Sequence, residues 1–219
     1  MDDKQTASGT RKHRYHHGDL RQALIDATRQ LLIEKGPENF SLADACRLAG
    51  VTTAAPYKHF RDKNEILEAI AEQGYDDLAE QTTAAVKAAG EGTLAGMIAM
   101  GVAYLSFATT QTAVFRLMFG QNASIKQAQN VAATGRDCFS QVIEQVEIYC
   151  RRNNVEGNAQ LLALQLWTFV HGASCLLIDD DYEKVAPGLD LQALIASAAS
   201  RLLPIPATAR KRKSNLPTR

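Results

Sequence analysis

Four cysteines, Cys46, Cys138, Cys150 and Cys175, stand far apart with no C-x-x-C pair. That spacing excludes a disulfide framework and a cysteine-built zinc site. Each lies in an apolar helical context and reads as a buried free thiol of a reducing cytosol. His13, His16 and His17 sit close together but lack a Cys or carboxylate at ligand spacing, so no metal is assigned. No P-loop, G-x-G-x-x-G, G-x-S-x-G or H-E-x-x-H occurs, and no nucleophile stands with a base; catalytic residues and cofactors are therefore not assigned, and the chain is not read as an enzyme. No secretory signal is visible in the polar first twenty residues. Two stretches lack charge. Leu94 to Ala108 is short for a membrane span, and Ala159 to Ile178 carries Gln160, Gln165 and His171. Both read as buried helices, the second at a subunit interface, and the expected compartment is the cytoplasm.

Acid and base balance over the whole chain, at a net charge of zero, but not along it. Residues 1–64 hold eleven Lys or Arg against eight Asp or Glu, residues 65–209 eight against sixteen, and residues 210–219 five against none. A basic head on an acidic body suits a chain that meets a polyanion with one end only. With 219 residues and 46% apolar content, one large or two modest domains can form.

The organisation is helical throughout, with no alternating strand pattern. Residues 1–14 read as a disordered basic arm, with Arg11, Lys12 and Arg14 suited to a minor groove. A first helix follows, with Leu20, Ala23, Leu24, Ala27 and Leu31 in one apolar stripe, stopped by Gly36-Pro37. Residues Phe40 to Phe60 then spell two short helices joined by a tight turn. Ser41 and Asp44 form a capping box, Leu42, Ala45, Leu48 and Ala49 share a face, and Gly50 occupies the left-handed position that ends a helix. Val51 plugs the angle, and Thr52 or Thr53 caps a second helix running through Tyr57, near whose start Pro56 must lie.

The segment VTTAAPYKHFRDKNEIL resembles the signature of the TetR family of bacterial transcriptional regulators. Val51, Tyr57, His59, Phe60, Lys63 and Leu67 agree in type and spacing, preceded by Ser41, Ala49 and Gly50. Pro56 departs from a usual aliphatic residue, and Ala54 and Ala55 from a frequent Gly and Thr. HHGDLRQAL near the N-terminus and LWTFVHG at Leu166 to Gly172 extend the resemblance to a subgroup with a Trp, His and Gly motif in its C-terminal domain.

The resemblance implies an all-α fold. A three-helix helix-turn-helix DNA-binding domain at 15–61 is joined by a long helix from Lys63 toward Ala89, opened by an Asp62 and Glu65 capping box, to a regulatory and dimerisation domain at 62–203. Helices are expected at about 93–109, 112–119, 124–152 (with Phe139, Val142, Ile143, Val146 and Tyr149 on one side), 157–178 and 190–203, followed by a disordered basic tail at 204–219. The last two long helices would pair with their copies in a homodimer.

The expected DNA-contacting residues are Ser41, Arg47, Thr52, Thr53, Ala54, Ala55, Tyr57, Lys58, His59 and Lys63. The threonines suit a base edge or a phosphate, the alanines a thymine methyl, and Lys58 a guanine edge or a phosphate. The resemblance assigns Tyr57, His59 and Lys63 to phosphates. Phe60 reads as core, and His59 also suits a cap at the end of its helix. The expected partners are a double-stranded DNA operator and a small-molecule inducer. For the inducer's pocket the candidates are Tyr104, Phe107, Phe115, Met118, Trp167 and His171, with Phe169 beside them; against this, aromatic residues at helical spacing usually form core, and His171 would be satisfied by a neighbouring backbone group. The rival function is a helical small-molecule-binding protein that does not touch DNA.

Overall fold

The computed structural model describes residues 17–120 and 122–203, and the arm and tail expected at 1–14 and 204–219 lie outside them. Among the described residues there are helices and no strand. The chain divides into two compact units between Ile66 and Leu67, within a helix, and each unit is described by itself.

In the first unit, α1 (His17–Lys35) buries Leu24, Ile25, Ala27, Leu31 and Leu32. The stripe is wider than expected because Ile25 and Leu32 join it. The buried Thr28 hydroxyl donates to the Leu24 carbonyl at 2.7 Å, so it leaves no unsatisfied group in the core. Gly36, at φ +75°, ends the helix.

The next helix, α2 (Leu42–Leu48), opens with the full capping box: Ser41 Oγ accepts from the Asp44 N–H at 3.2 Å, and Asp44 Oδ2 accepts from the Ser41 N–H at 2.8 Å. It closes at Gly50 in a Schellman arrangement, with φ +69°, where Gly50 N–H donates to the Arg47 carbonyl and Val51 N–H to that of Cys46. Its buried edge is Ala45 and Cys46, while Leu48, expected inside, is 45% exposed.

The second motif helix differs from expectation. Neither Thr52 nor Thr53 caps an α-helix; instead Pro56–Lys58 makes one 3₁₀ turn, with Ala55 at its N-cap and no side-chain cap. Proline rules out one start: an α-helix capped by Thr52 would need a Pro56 N–H, whereas a turn beginning at Pro56 puts the missing donor where none is required. The Pro56 ring is buried. Phe60, 2% exposed, is core as expected, with the Arg21 guanidinium 5.1 Å from its ring centroid.

The chain passes from the first unit to the second within α3 (Lys63–Ala89). Asp62 Oδ1 caps the Glu65 N–H at 3.0 Å, but Glu65 returns its carboxylate to the N–H of Arg61 rather than Asp62. Only half of the expected box forms. That backbone N–H holds the Glu65 carboxyl below its ordinary pKa, with the Arg61 side chain assisting.

The second unit contains the rest of α3, then α4 (Leu94–Thr110) and α5 (Thr112–Phe119), which bend by 103° at Gln111. The helix expected at 124–152 is broken at Ala128, whose ψ of 128° leaves the helical region, into α6 (Ala123–Gln127) and α7 (Gln129–Asn153). No Gly or Pro marks that break. There follow α8 (Ala159–Ile178), a short α9 (Asp181–Val185) that was not expected, and α10 (Leu191–Leu202). Val86, Met97, Met100, Val146, Tyr149, Ala163 and Leu203 pack into one core. Burying a side chain of this size contributes about 1.5–3 kcal/mol.

Two glycines set close approaches. A Cβ at Gly74 would lie 2.7 Å from Met118 Sδ and Val114 Cγ1, and one at Gly96 would lie 2.3 Å from the Gly90 carbonyl oxygen.

Of all the described helices, α8 alone is long and apolar enough to cross a membrane, its glutamines and histidine notwithstanding. It packs on α4, α7 and α10 and buries Ala163, Val170, Ala173 and Ser174. More than one of its faces is thus covered, as expected, while Leu161, Leu164 and Leu176 are exposed. On α10 the exposed positions are instead Gln192, Ala193, Ser197, Ser200 and Arg201.

Candidate nucleic-acid surface and ligand cavity

The first unit gathers its candidates on the stretch from α2 to the start of α3. Thr52, Thr53, Ala54, Tyr57 and Lys58 are exposed, Tyr57 by 66%. Ala55 is half-buried at the head of the 3₁₀ turn. Ser41 is exposed, but its hydroxyl and N–H are both engaged by Asp44. Those bonds to Ser41, with Arg47 nearby, hold the Asp44 carboxyl below its usual range. Arg47 projects into solvent and pairs with Asp44 at 3.3 Å, an exposed contact of little energetic weight.

His59 is the C-cap of its turn through its backbone, whose N–H donates to the Pro56 carbonyl at 2.8 Å, while its side-chain Nε2 is buried without a hydrogen-bond partner among the described residues. Lys63, assigned to a phosphate by resemblance, is held inside the unit. Its ammonium donates to the Phe40 carbonyl at 2.7 Å and sits 4.2 Å from the centroid of the Phe40 ring. An ammonium carries three donors, so this bond leaves two.

The second unit encloses a cavity of about 600 Å³, in the range of small-molecule sites. Of the expected residues, Tyr104, Met118, Trp167 and Phe169 line it; Phe107, Phe115 and His171 do not. Phe107 is fully buried core. Phe115 and His171 form a layer behind the wall, Phe115 edge-on to Tyr104 at 6.0 Å and tilted against His171 at 5.4 Å.

His171 is satisfied by side chains, not by the backbone group expected. Trp167 Nε1–H donates to Tyr104 Oη at 3.3 Å, and Tyr104 Oη lies 2.9 Å from His171 Nδ1. The direction of that bond follows the imidazole tautomer, and the other ring nitrogen, Nε2, faces Cys175 Sγ at 3.7 Å. Burial, aided by the Lys126 charge, lowers the His171 pKa and favours the neutral form.

The sequence reading missed Tyr75, Lys126, Arg136, Cys138 and Phe139 in the lining. Tyr75, Leu78 and Thr82 share a face of α3 at helical spacing, a signal that was available. Burial pushes the Tyr75 hydroxyl up to about 12 and the Cys138 thiol to about 11. Cys138 and Cys175 are only partly buried, unlike the buried Cys46 and Cys150, but all four are free thiols.

Residues 24–70 match the model of the family described as bacterial regulatory proteins, tetR family, and residues 97–202 match a tetracyclin repressor-like C-terminal domain. An uncharacterized HTH-type transcriptional regulator of Haemophilus influenzae is 35% identical over 118 residues, covering 52% of this chain and 55% of that protein. The chain thus spans about half the length of this relative. A solved protein of unknown function from Rhodococcus sp. RHA1 is 29% identical, with a TM-score of 0.76, over 87% of this chain and 97% of that one. The TetR family transcriptional regulator PfmR from Thermus thermophilus shares the fold, at 15% identity and a TM-score of 0.57 over 82% of this chain and 96% of its own.

Proposed function

Because this chain belongs to the TetR family of bacterial regulatory proteins, we propose that it is a cytoplasmic, homodimeric, DNA-binding transcriptional regulator, a repressor released from a palindromic operator by a small-molecule inducer. The observation that carries this reading is the exposed set Thr52, Thr53, Ala54, Tyr57 and Lys58, presented directly after the glycine-closed α2. These residues combine donors for phosphates with slim side chains for a groove floor.

The division of labour follows from side-chain reach. Thr52, Thr53, Ala54 and Ala55 face base edges; Tyr57, Lys58, His59 and Lys63 hold phosphates, aided by Ser41 and Arg47. His59 Nε2 has no partner among the described residues but is buried, so its ring must turn outward to meet a phosphate, and Lys63 offers the donors that Phe40 leaves over. Residues 15–61 act as the DNA-binding domain and 62–203 as the regulatory domain, whose cavity receives the inducer. Trp167, His171 and Gly172 assign the chain to the subgroup with that motif.

The dimer forms through α8 and α10. Support comes from the exposed Leu161 and Leu176 on one face of α8, apolar surface that a second copy would remove from water. Two such heads reach successive major grooves when they stand about 34–36 Å apart. An inducer acts by its differential affinity for a conformation with another spacing.

Selection of bound duplexes from a random pool at roughly 150 mM salt tests the reading, since purely electrostatic binding is weak there. An enriched inverted repeat is expected. No enrichment by folded, dimeric, ligand-free protein would favour the rival, a ligand-binding protein that does not read DNA.

A further inference from the structure

The cavity is lined by charge of one sign. We propose that its ligand is an anionic amphiphile, a single flexible apolar chain ending in a carboxylate. This inference rests on the cavity being the inducer site and concerns what the site accepts.

Among the described residues, the charged side chains in the lining are Lys126 and Arg136, with no Asp or Glu, and both are solvent-exposed, which puts them at the rim rather than the floor. Of the acids near it, Glu72 is bonded to the Asn130 amide, Asp179 to Arg116 at 2.7 Å, and Asp76 opens on a separate depression with Glu80 and Lys87, although its charge also acts on the Cys138 thiol. A cationic ligand would bring its charge to two like charges with no carboxylate to offset desolvation. An anion would find the opposite charge at the water-facing edge, where it need not be fully dehydrated.

The interior fits a chain rather than a second polar group. Met97, Met100 and Met118 are adaptable thioethers that follow a flexible tail, with Val131 and Ile195 beside them. Among the polar atoms of the lining, Tyr104 Oη is engaged by Trp167 and His171, Tyr75 Oη donates to the Met118 carbonyl at 3.4 Å and Thr82 Oγ1 to the Leu78 carbonyl at 2.8 Å, so these groups have internal partners without a ligand. Lys126 makes one long bond, 3.4 Å to the Phe119 carbonyl, and retains donors for a head group.

The test uses three probes with the same tail and different heads, dodecanoate, dodecanol and dodecyltrimethylammonium, each below its micellar concentration. Trp167 is the single tryptophan of the chain and lines the cavity, so its emission reports occupancy directly. Dodecanoate is expected to bind about tenfold more tightly than dodecanol, the scale of two exposed ion pairs, with the ammonium weakest. In the Lys126→Ala/Arg136→Ala variant that advantage should vanish while the dodecanol titration stays unchanged, which also shows that the variant is folded. Equal or tighter binding of dodecanol or the ammonium overturns the charge assignment but leaves the cavity a ligand site. A carboxylate preference that survives in the variant overturns the role of the two cations. No response to any of the three overturns the cavity reading itself.

Discussion

The motif surface and the cavity use polar groups in opposite ways. On the surface, Thr52, Thr53, Tyr57 and Lys58 face solvent, so a phosphate or base edge can replace water at these side chains without breaking internal bonds. Around the cavity, Tyr104, Trp167 and His171 spend their polar atoms on one another, and the wall presents mainly carbon and sulfur. The contrast separates two kinds of recognition. A surface reads by offering unspent donors, whereas a cavity selects by shape and by the charge it excludes. Lys63 stands between these cases, being placed by resemblance on the reading surface yet engaged with Phe40.

The largest effect is expected from Gly96→Ala in the second unit. Its Cβ would press on the Gly90 carbonyl, a backbone atom that cannot rotate away, and a loss of about 3 kcal/mol is expected. Urea unfolding followed by Trp167 emission measures it; an unchanged midpoint would mean that the 90–96 turn yields freely.

Lys63→Ala sharpens the comparison at its ambiguous residue. If Lys63 also reaches a phosphate, affinity should fall for every duplex and the salt slope should shrink by about 0.9. Losing its bond to the Phe40 carbonyl should in addition cost about 1 kcal/mol of stability. A stability loss with an unaltered slope assigns Lys63 to the fold alone. Thr53→Ala should change sequence preference by about 1 kcal/mol without altering the slope. Equal effects of both variants on cognate and scrambled DNA would break the proposed division of labour.

His171 gives the wall a pH dependence. Its folded pKa lies below the 6.5 of the free side chain, so below that pH the unfolded chain binds more protons. Stability from this group is fully present above 6.5 and is lost as pH falls toward the folded value. Thermal melts between pH 7 and 5 should show the decline, and His171→Gln should flatten it. An identical slope in the variant would place the titration elsewhere.

The smallest effect is expected at Pro56→Leu. Restoring the N–H should let the 3₁₀ turn lengthen into an α-helix starting near Thr53, with a small gain in far-UV helicity and a stability change below about 1 kcal/mol. Unchanged helicity would show that the turn is set by its surroundings, not by the proline.

Much of this molecule is legible in local pattern. The Ser41 and Asp44 box, the glycine stops at Gly36 and Gly50, and the course of α4, α5 and α8 depend on neighbours within a few residues, so sequence spacing reports them well. The errors arose where neighbours were not enough. Two capping threonines pointed to a helix, but the turn starts at Pro56 with Ala55 as its N-cap. The break at Ala128 carries no turn residue at all. Phe107, Phe115 and Trp167 look alike as aromatic residues at helical spacing, yet one is core, one stands behind the wall and one lines the cavity.

By itself, then, the sequence determined an all-helical chain, its caps and stops, and the residue types of a surface fitted to DNA. These follow from hydrogen bonding and periodicity over a turn or two of backbone. Tertiary structure alone decided that Lys63 is tied to Phe40, that His171 is held by Tyr104 at 2.9 Å, and that Lys126 and Arg136 are the charges that line the cavity. The two contacts join residues 23 and 67 positions apart along the chain, and only the packing of whole helices determines which side chains meet.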